Sequence, residues 1–223
     1  MTSSTAKPKT SLSDFDSALP PNVLASMQAG VMRYTYRGVM CNKSPFDLAL
    51  YHLLLDKTKP ASIIEIGTKF GGSGLWFADM SSIHCPGAQV IQVDNNPRVE
   101  NPDSRIQYFL GDANDLGSAL SPNFLEQLPK PWLVVEDSAH TFQTCLAVMR
   151  FFDPWLHSGD YLVVEDGIVR NFSGAQYAAY EDGPSRAIHD FIQTRKKYVI
   201  DRAMCDFFGP NYTYNPSGYL MIQ

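Results

Sequence analysis

The chain has 223 residues, of which 44% are hydrophobic, and a formal charge of −5 at pH 7. That is one ordinary to slightly large domain with material for a substantial core, and the acidic balance excludes the basic stripe of a nucleic-acid-binding surface. The longest apolar runs, about five or six residues, fall far short of the ~18–20 needed to span a bilayer.

The first thirteen residues are polar, lack a signal-peptide core and read as a disordered leader. A helix is expected over 19–32, after Pro20 and Pro21, and a short aromatic stretch over 34–39. Ser44 is a good N-cap and Pro45 a good first residue for a helix over 46–57, in which Leu48, Tyr51, His52 and Leu55 share one face. Strands and helices then alternate. Strands fall over 62–66, 89–94, 106–110, 132–136, 161–165, 198–200 and 218–222. Helices fall over 72–83, 141–152 and 184–197, with a weaker helix or turn pair over 116–128. Basic Arg195, Lys196 and Lys197 suit the negative end of the last helix. Residues 167–183 are irregular, and a loop of that length is usually functional or mobile. The alternation implies a mostly parallel seven-stranded sheet with helices on both faces. The organisation expected is a leader and helix over 1–33, which could serve as a dimer arm of a homo-oligomer, and one α/β domain over 34–223. Cys41, Cys85, Cys145 and Cys205 are scattered with no C-x-x-C pair. They read as thiols of a reducing cytoplasm, with a disulfide pair left open.

Ligands in such sheets sit at the carboxyl ends of the strands. Five consecutive strands here end in polar or glycine-rich tips: Gly67, Asp94, Gly111 with Asp112, Asp137, and Glu165 with Asp166. The first tip is the run Ile63-Ile64-Glu65-Ile66-Gly67-Thr68-Lys69-Phe70-Gly71-Gly72-Ser73. Gly67 permits a tight bend, and Gly71 and Gly72 open a helix whose free N–H groups favour an anion. Asp94, 27 residues after Gly67, can accept both hydroxyls of a ribose, and Gly111-Asp112 lies where an adenine edge would be. A dinucleotide site usually wants G-x-G-x-x-G. The spacing here, E-x-G-x-x-x-G-x-S, favours S-adenosylmethionine, with Ser73 on its carboxylate and Glu65 at its methionine end. A nicotinamide-dependent oxidoreductase is the rival, and a cofactor-binding protein with chemistry other than methyl transfer a second.

Asp137, Glu165 and Asp166 end neighbouring strands, and three like charges gathered there call for a cation or protons. Oxygen-only ligands suit Mg²⁺, which could lower the pKa of a substrate hydroxyl. Glu165 and Asp166 are adjacent and would face opposite ways along a regular strand, so one must lie past its end. His140, three residues after Asp137, could take the proton of that hydroxyl. Phe172, Tyr177 and Tyr180, with the segment 34–37, would form a substrate lid.

The runs Lys43-Ser44-Pro45-Phe46-Asp47, Ile64-Glu65-Ile66-Gly67-Thr68 with Gly71-Gly72-Ser73, Asp137-Ser138 with His140, Val163-Val164-Glu165-Asp166, and Asn215-Pro216 with Gly218-Tyr219-Leu220 occur in that order. This set resembles the cephalosporin-hydroxylase-like and rhamnosyl O-methyltransferase family. The resemblance implies a Rossmann-like class I methyltransferase fold, adenosylmethionine, and Mg²⁺ on Asp137, Glu165 and Asp166. It implies transfer of a methyl group to a hydroxyl of a small molecule: a sugar, a phenol or a natural-product scaffold. Ala139 stands where many members carry a second acid.

Overall fold

The structure is a computed structural model that describes residues 10–99 and 101–223; the expected leader lies largely outside them. Ser11 accepts from the backbone of Ser13 and caps a 3₁₀ turn, Leu12–Phe15, with Asp14 reaching back to complete a capping box. The chain is therefore already ordered in the last residues of the stretch expected to be disordered. Helix α1 (Pro21–Val31) follows. Its Leu24 and Val31 pack with Leu19, Ile168 and Tyr214 of the same chain.

Strands β1 (Thr35–Tyr36) and β2 (Val39–Met40) form a small antiparallel ribbon. Helix α2 (Pro45–Thr58) starts as expected on the Ser44 cap and Pro45. Its buried face is Asp47, Leu50, Tyr51, Leu54 and Leu55, whereas His52 is exposed, so the inward stripe is rotated from the one expected. Then come β3 (Ser62–Ile66), α3 (Gly72–His84), β4 (Gln89–Asp94), β5 (Ile106–Leu110), α4 (Pro122–Gln127), β6 (Trp132–Glu136), α5 (Phe142–Phe152) and β7 (Tyr161–Val164). The irregular 167–183 segment holds a 3₁₀ turn, Gly167–Asn171, and the short α6 (Ala175–Ala178). The chain closes with α7 (Gly183–Thr194), β8 (Tyr198–Ile200), α8 (Arg202–Cys205) and β9 (Tyr219–Ile222). α7 ends before its basic cluster. Arg195 and Lys197 instead bind Asp153 at the end of α5, at 2.7 and 3.1 Å, an ion pair outweighing the helix dipole.

The sheet runs β5-β4-β3-β6-β7-β9-β8, with β9 antiparallel to both its neighbours. Alternate residues of each strand face opposite sides. Ile64, Ile66, Val93, Val134 and Val164 pack beneath α5 and α7. Ile63, Val90, Leu133, Val135 and Val163 pack beneath α2 and α3. The order reverses at β3, whose neighbours are β4 and β6, which opens a crevice at their carboxyl ends. The tips there are level. Asp137 N donates to Ile66 O at 2.8 Å, Glu165 N to Glu136 O at 2.9 Å, and Gly111 N to Asp94 O at 3.0 Å. No helix among the described residues is long and apolar enough to cross a membrane, and the four cysteines are free and buried.

Candidate active site

The crevice is a cleft of about 630 Å³. One end is walled by the strand tips Gly67, Asp94, Gly111 and Asp112; the other is aromatic, with Phe172, Tyr177, Tyr180 and Tyr214. Asp137, His140 and Asp166 lie between. A niche of about 30 Å³ adjoins it, lined by Lys43, Thr68, Ser73 and Asp137.

The glycine turn is fixed by close approach as much as by φ. A Cβ on Gly67 would lie 1.9 Å from the carbonyl oxygen of Asp137, and one on Gly72 would lie 2.2 Å from that of Met40. Gly71, at φ +89, bends the chain into α3. Gly71 and Gly72 thus shape the turn from behind and do not line the cleft. Glu65 and Ser73 are joined to each other. Glu65 is fully buried and accepts from Ser73 Oγ at 2.8 Å and from Gln92. Its carboxylate is held inside the protein, and Ser73 is engaged with it. Asp94 is held by Lys69 N at 2.8 Å and Asn96 N at 2.7 Å, so its carboxylate is preset at the cleft wall.

Asp137, His140 and Asp166 each offer a ligand atom within 4.8 Å of one another. His140 Nε2 is 3.3 Å from Asp166 and 4.0 Å from Asp137. Both His140 (φ +55) and Asp166 (φ +58) are left-handed, a conformation that non-glycine residues keep only when the surroundings enforce it. For Asp166 the enforcement includes Asn215, whose side chain accepts from the Asp166 amide at 3.1 Å. For His140 it is the start of α7: a Cβ on Gly183 would come within 2.3 Å of the His140 carbonyl oxygen.

Of the expected acid trio, Asp137 and Asp166 line the cleft together, whereas Glu165 is buried beside it. The left-handed step at Asp166 turns the chain, and its carboxylate parts from that of Glu165. Asp166 faces the cleft while Glu165 accepts from Tyr51 at 2.5 Å and pairs with Lys43 at 2.7 Å. His140 stands with Asp137 and Asp166 at the cleft. Lys43 shows in the sequence only as the first residue of a family motif, yet its ammonium lies 2.6 Å from Asp137, 2.7 Å from Glu165 and 3.1 Å from Glu65. Burial works against that charge, but the three carboxylates prevail and hold its pKa well above the usual lysine value. Burial, then Asp137, pushes the Glu165 carboxyl well up, offset in part by Lys43. Burial raises Asp166 to about 6, with His140 opposing and Asp137 adding to the rise.

The aromatic wall contains Phe172, Tyr177 and Tyr180 as expected, with Phe172 stacked on Tyr177 at 4.6 Å and Tyr180 edge-on to His140 at 5.9 Å. The segment 34–37 is elsewhere: Tyr36 and Arg37 bind Asp79 on α3, at 2.9 and 3.4 Å. Two carboxylates and an imidazole converging on one point fit a hard divalent cation held by the oxygens, with the imidazole free for proton transfer. A preset acid at the second strand tip fits a ribose.

A family model described as Rhamnosyl O-methyltransferase/CmcI matches residues 29–222. Rhamnosyl O-methyltransferases of Mycobacterium tuberculosis and Mycobacterium bovis are 31% identical over 196 residues, 84% of this chain and 77% of theirs. A CmcI structure described as containing Mg and SAM superposes with a TM-score of 0.64 at 27% identity, covering 86% of this chain and 77% of that one. An apo-structure of CmcI gives 0.65 at 27% identity, covering 86% and 76%. The ordered motifs, the sheet order and these matches agree: the chain belongs to the Rhamnosyl O-methyltransferase/CmcI family and is an O-methyltransferase with the class I methyltransferase fold.

Proposed function

We propose that the cleft binds S-adenosylmethionine and a divalent cation, Mg²⁺ in the first instance, and methylates a hydroxyl of a small ring-bearing molecule. The observation that carries this reading is the meeting of Asp137, His140 and Asp166 within reach of one ion, between a ribose-like acid site and an aromatic wall. When bound, the cofactor supplies an activated methyl group and the cation a Lewis acid for an oxygen.

This chain's residues do the rest. Asp94 would orient the ribose and Asp112 border the base, while the Gly67–Lys69 turn would border the methionine end. Asp137 and Asp166 would hold the cation, and Lys43 fixes Asp137 through Oδ2, leaving Oδ1 toward His140. His140 Nε2 takes the acceptor's hydroxyl proton. Phe172, Tyr177 and Tyr180 keep water from the acceptor and cover its face. Positioning and fixed charges of this kind supply most of the rate in such a site. Family membership displaces the nicotinamide-dependent alternative. The names of the mycobacterial relatives make a deoxyhexose hydroxyl the first acceptor to try, ahead of phenols and other scaffolds.

Incubation with adenosylmethionine, Mg²⁺, methyl α-L-rhamnoside and a panel of diols should yield adenosylhomocysteine and a methylated acceptor. Turnover that survives EDTA removes the cation from the reading. Full activity in Asp137→Ala puts the site in the wrong place, and adenosylhomocysteine without a methylated acceptor points to other chemistry.

A further inference from the structure

Tyr214 is an exception among the buried tyrosines. Tyr51 donates to Glu165 at 2.5 Å, Tyr219 to Asp47 at 2.9 Å, Tyr198 to Asp153 at 3.1 Å and Tyr161 to Asp201 at 3.2 Å. Tyr214 is just as enclosed, at 4% exposure. Its hydroxyl oxygen is buried and has no hydrogen-bond partner among the described residues. Burying a hydroxyl without a partner is costly, and a phenylalanine would avoid that cost.

Nothing about the residue is loose. Its amide donates to Asp47 at 2.8 Å, and its carbonyl accepts from the Ile168 amide at 3.0 Å. The ring stands edge-on to Phe172 at 6.2 Å and packs with Leu24 and Val31 of α1. It also lines the cleft shared with His140 and Asp166. The cleft lining thus includes one polar group that the described residues leave unpartnered, closed off from the cleft as it stands and reached by an acceptor as the Phe172 side of the aromatic wall shifts.

We propose that Tyr214 is an acceptor-binding residue whose hydroxyl donates a hydrogen bond to an oxygen adjacent to the one methylated. Resting on the methyl-transfer reading above, this narrows the acceptor to a ring with neighbouring oxygens and an apolar face. That chemistry is shared by 6-deoxyhexosides and catechols. Burial, with the charges of Asp166 and Asp47, keeps the Tyr214 proton on at neutral pH, so the group acts as a donor.

The test is calorimetric titration of the wild type and Tyr214→Phe, each loaded with adenosylhomocysteine and Mg²⁺, with methyl α-L-rhamnoside and with 4-nitrocatechol. The probe that binds should lose about three- to tenfold in affinity in the variant, the worth of one hydrogen bond. Its analogue lacking the neighbouring oxygen should bind both proteins alike. Adenosylhomocysteine affinity should not change, and the melting temperature should hold or rise, since no internal partner is lost and an unpartnered buried hydroxyl is removed. Equal probe affinity in the two proteins overturns the role of Tyr214 alone, and so does a clear fall in melting temperature, which would mark a structural partner. If neither probe binds the wild type, the ring-acceptor reading fails and the inference fails with it.

Discussion

The Lys43 ammonium, 3% exposed, lies within 3.1 Å of carboxylates on Glu65, Asp137 and Glu165. Three acids at adjoining strand tips, Glu65 and Glu165 buried and Asp137 partly so, would repel one another without it. Removing one partner of a buried ionic cluster leaves uncompensated charge and typically costs about 3–5 kcal/mol. Lys43→Met should lose stability of that order in urea unfolding, whereas an unchanged midpoint would show that the acids are neutral without the lysine. Asp166 gives a second prediction. With its carboxyl raised to about 6 by burial first, protons compete with a cation below that pH. Cation affinity should fall by about tenfold from pH 7 to pH 5, measured with Mn²⁺ by electron paramagnetic resonance; a carboxyl at its ordinary value would leave affinity flat across that window. The sign for folding is opposite. A raised folded-state pKa makes the cation-free protein lose stability as pH rises from about 4 through 6, because the unfolded chain releases that proton first.

Elements position the cluster through close backbone approach. Helix α7 begins against the loop that carries His140, and a Cβ on Gly183 would lie 2.3 Å from the His140 carbonyl oxygen and 2.7 Å from the Phe142 amide. Gly183→Ala should push His140 from its left-handed turn and lower kcat by at least tenfold, a modest fall for an active-site displacement of this kind, with little change in adenosylmethionine affinity. A variant that retains its kcat would show that the loop and helix yield independently. α5 is held at its start by Thr141, which accepts from the Thr144 amide at 3.2 Å. Thr141→Ala should cost about 1 kcal/mol in denaturant unfolding, and an unchanged stability would mean that Thr144 caps the helix unaided.

Across the whole molecule, four buried thiols report on integrity. Burial pushes Cys41 and Cys205 up to about 12, so the native protein at pH 8 should react slowly with a thiol reagent and release four equivalents only on unfolding; fast native labelling would mean that the core opens. The strands of this fold were legible because each is a short apolar run ending in a polar tip, and level tips follow from parallel pairing. Asp94, Asp137, Asp166 and His140 could therefore be placed from sequence. What could not be read depends on distant partners or on one dihedral angle. Lys43 meets Glu65, Asp137 and Glu165 only through the fold. The order of Glu165 and Asp166 around the turn is set by a single left-handed residue, a choice that strand alternation does not make. The same holds for Tyr214, whose only sequence signal was its place beside Asn215-Pro216. The central claim, that Asp137 and Asp166 hold a cation beside the cofactor, is tested most directly by anomalous diffraction from crystals soaked with Mn²⁺ and adenosylhomocysteine. The expected result is one peak within about 2.0–2.6 Å of both carboxylates, the reach of oxygen ligands; a cleft filled by adenosylhomocysteine with no peak between them would contradict it.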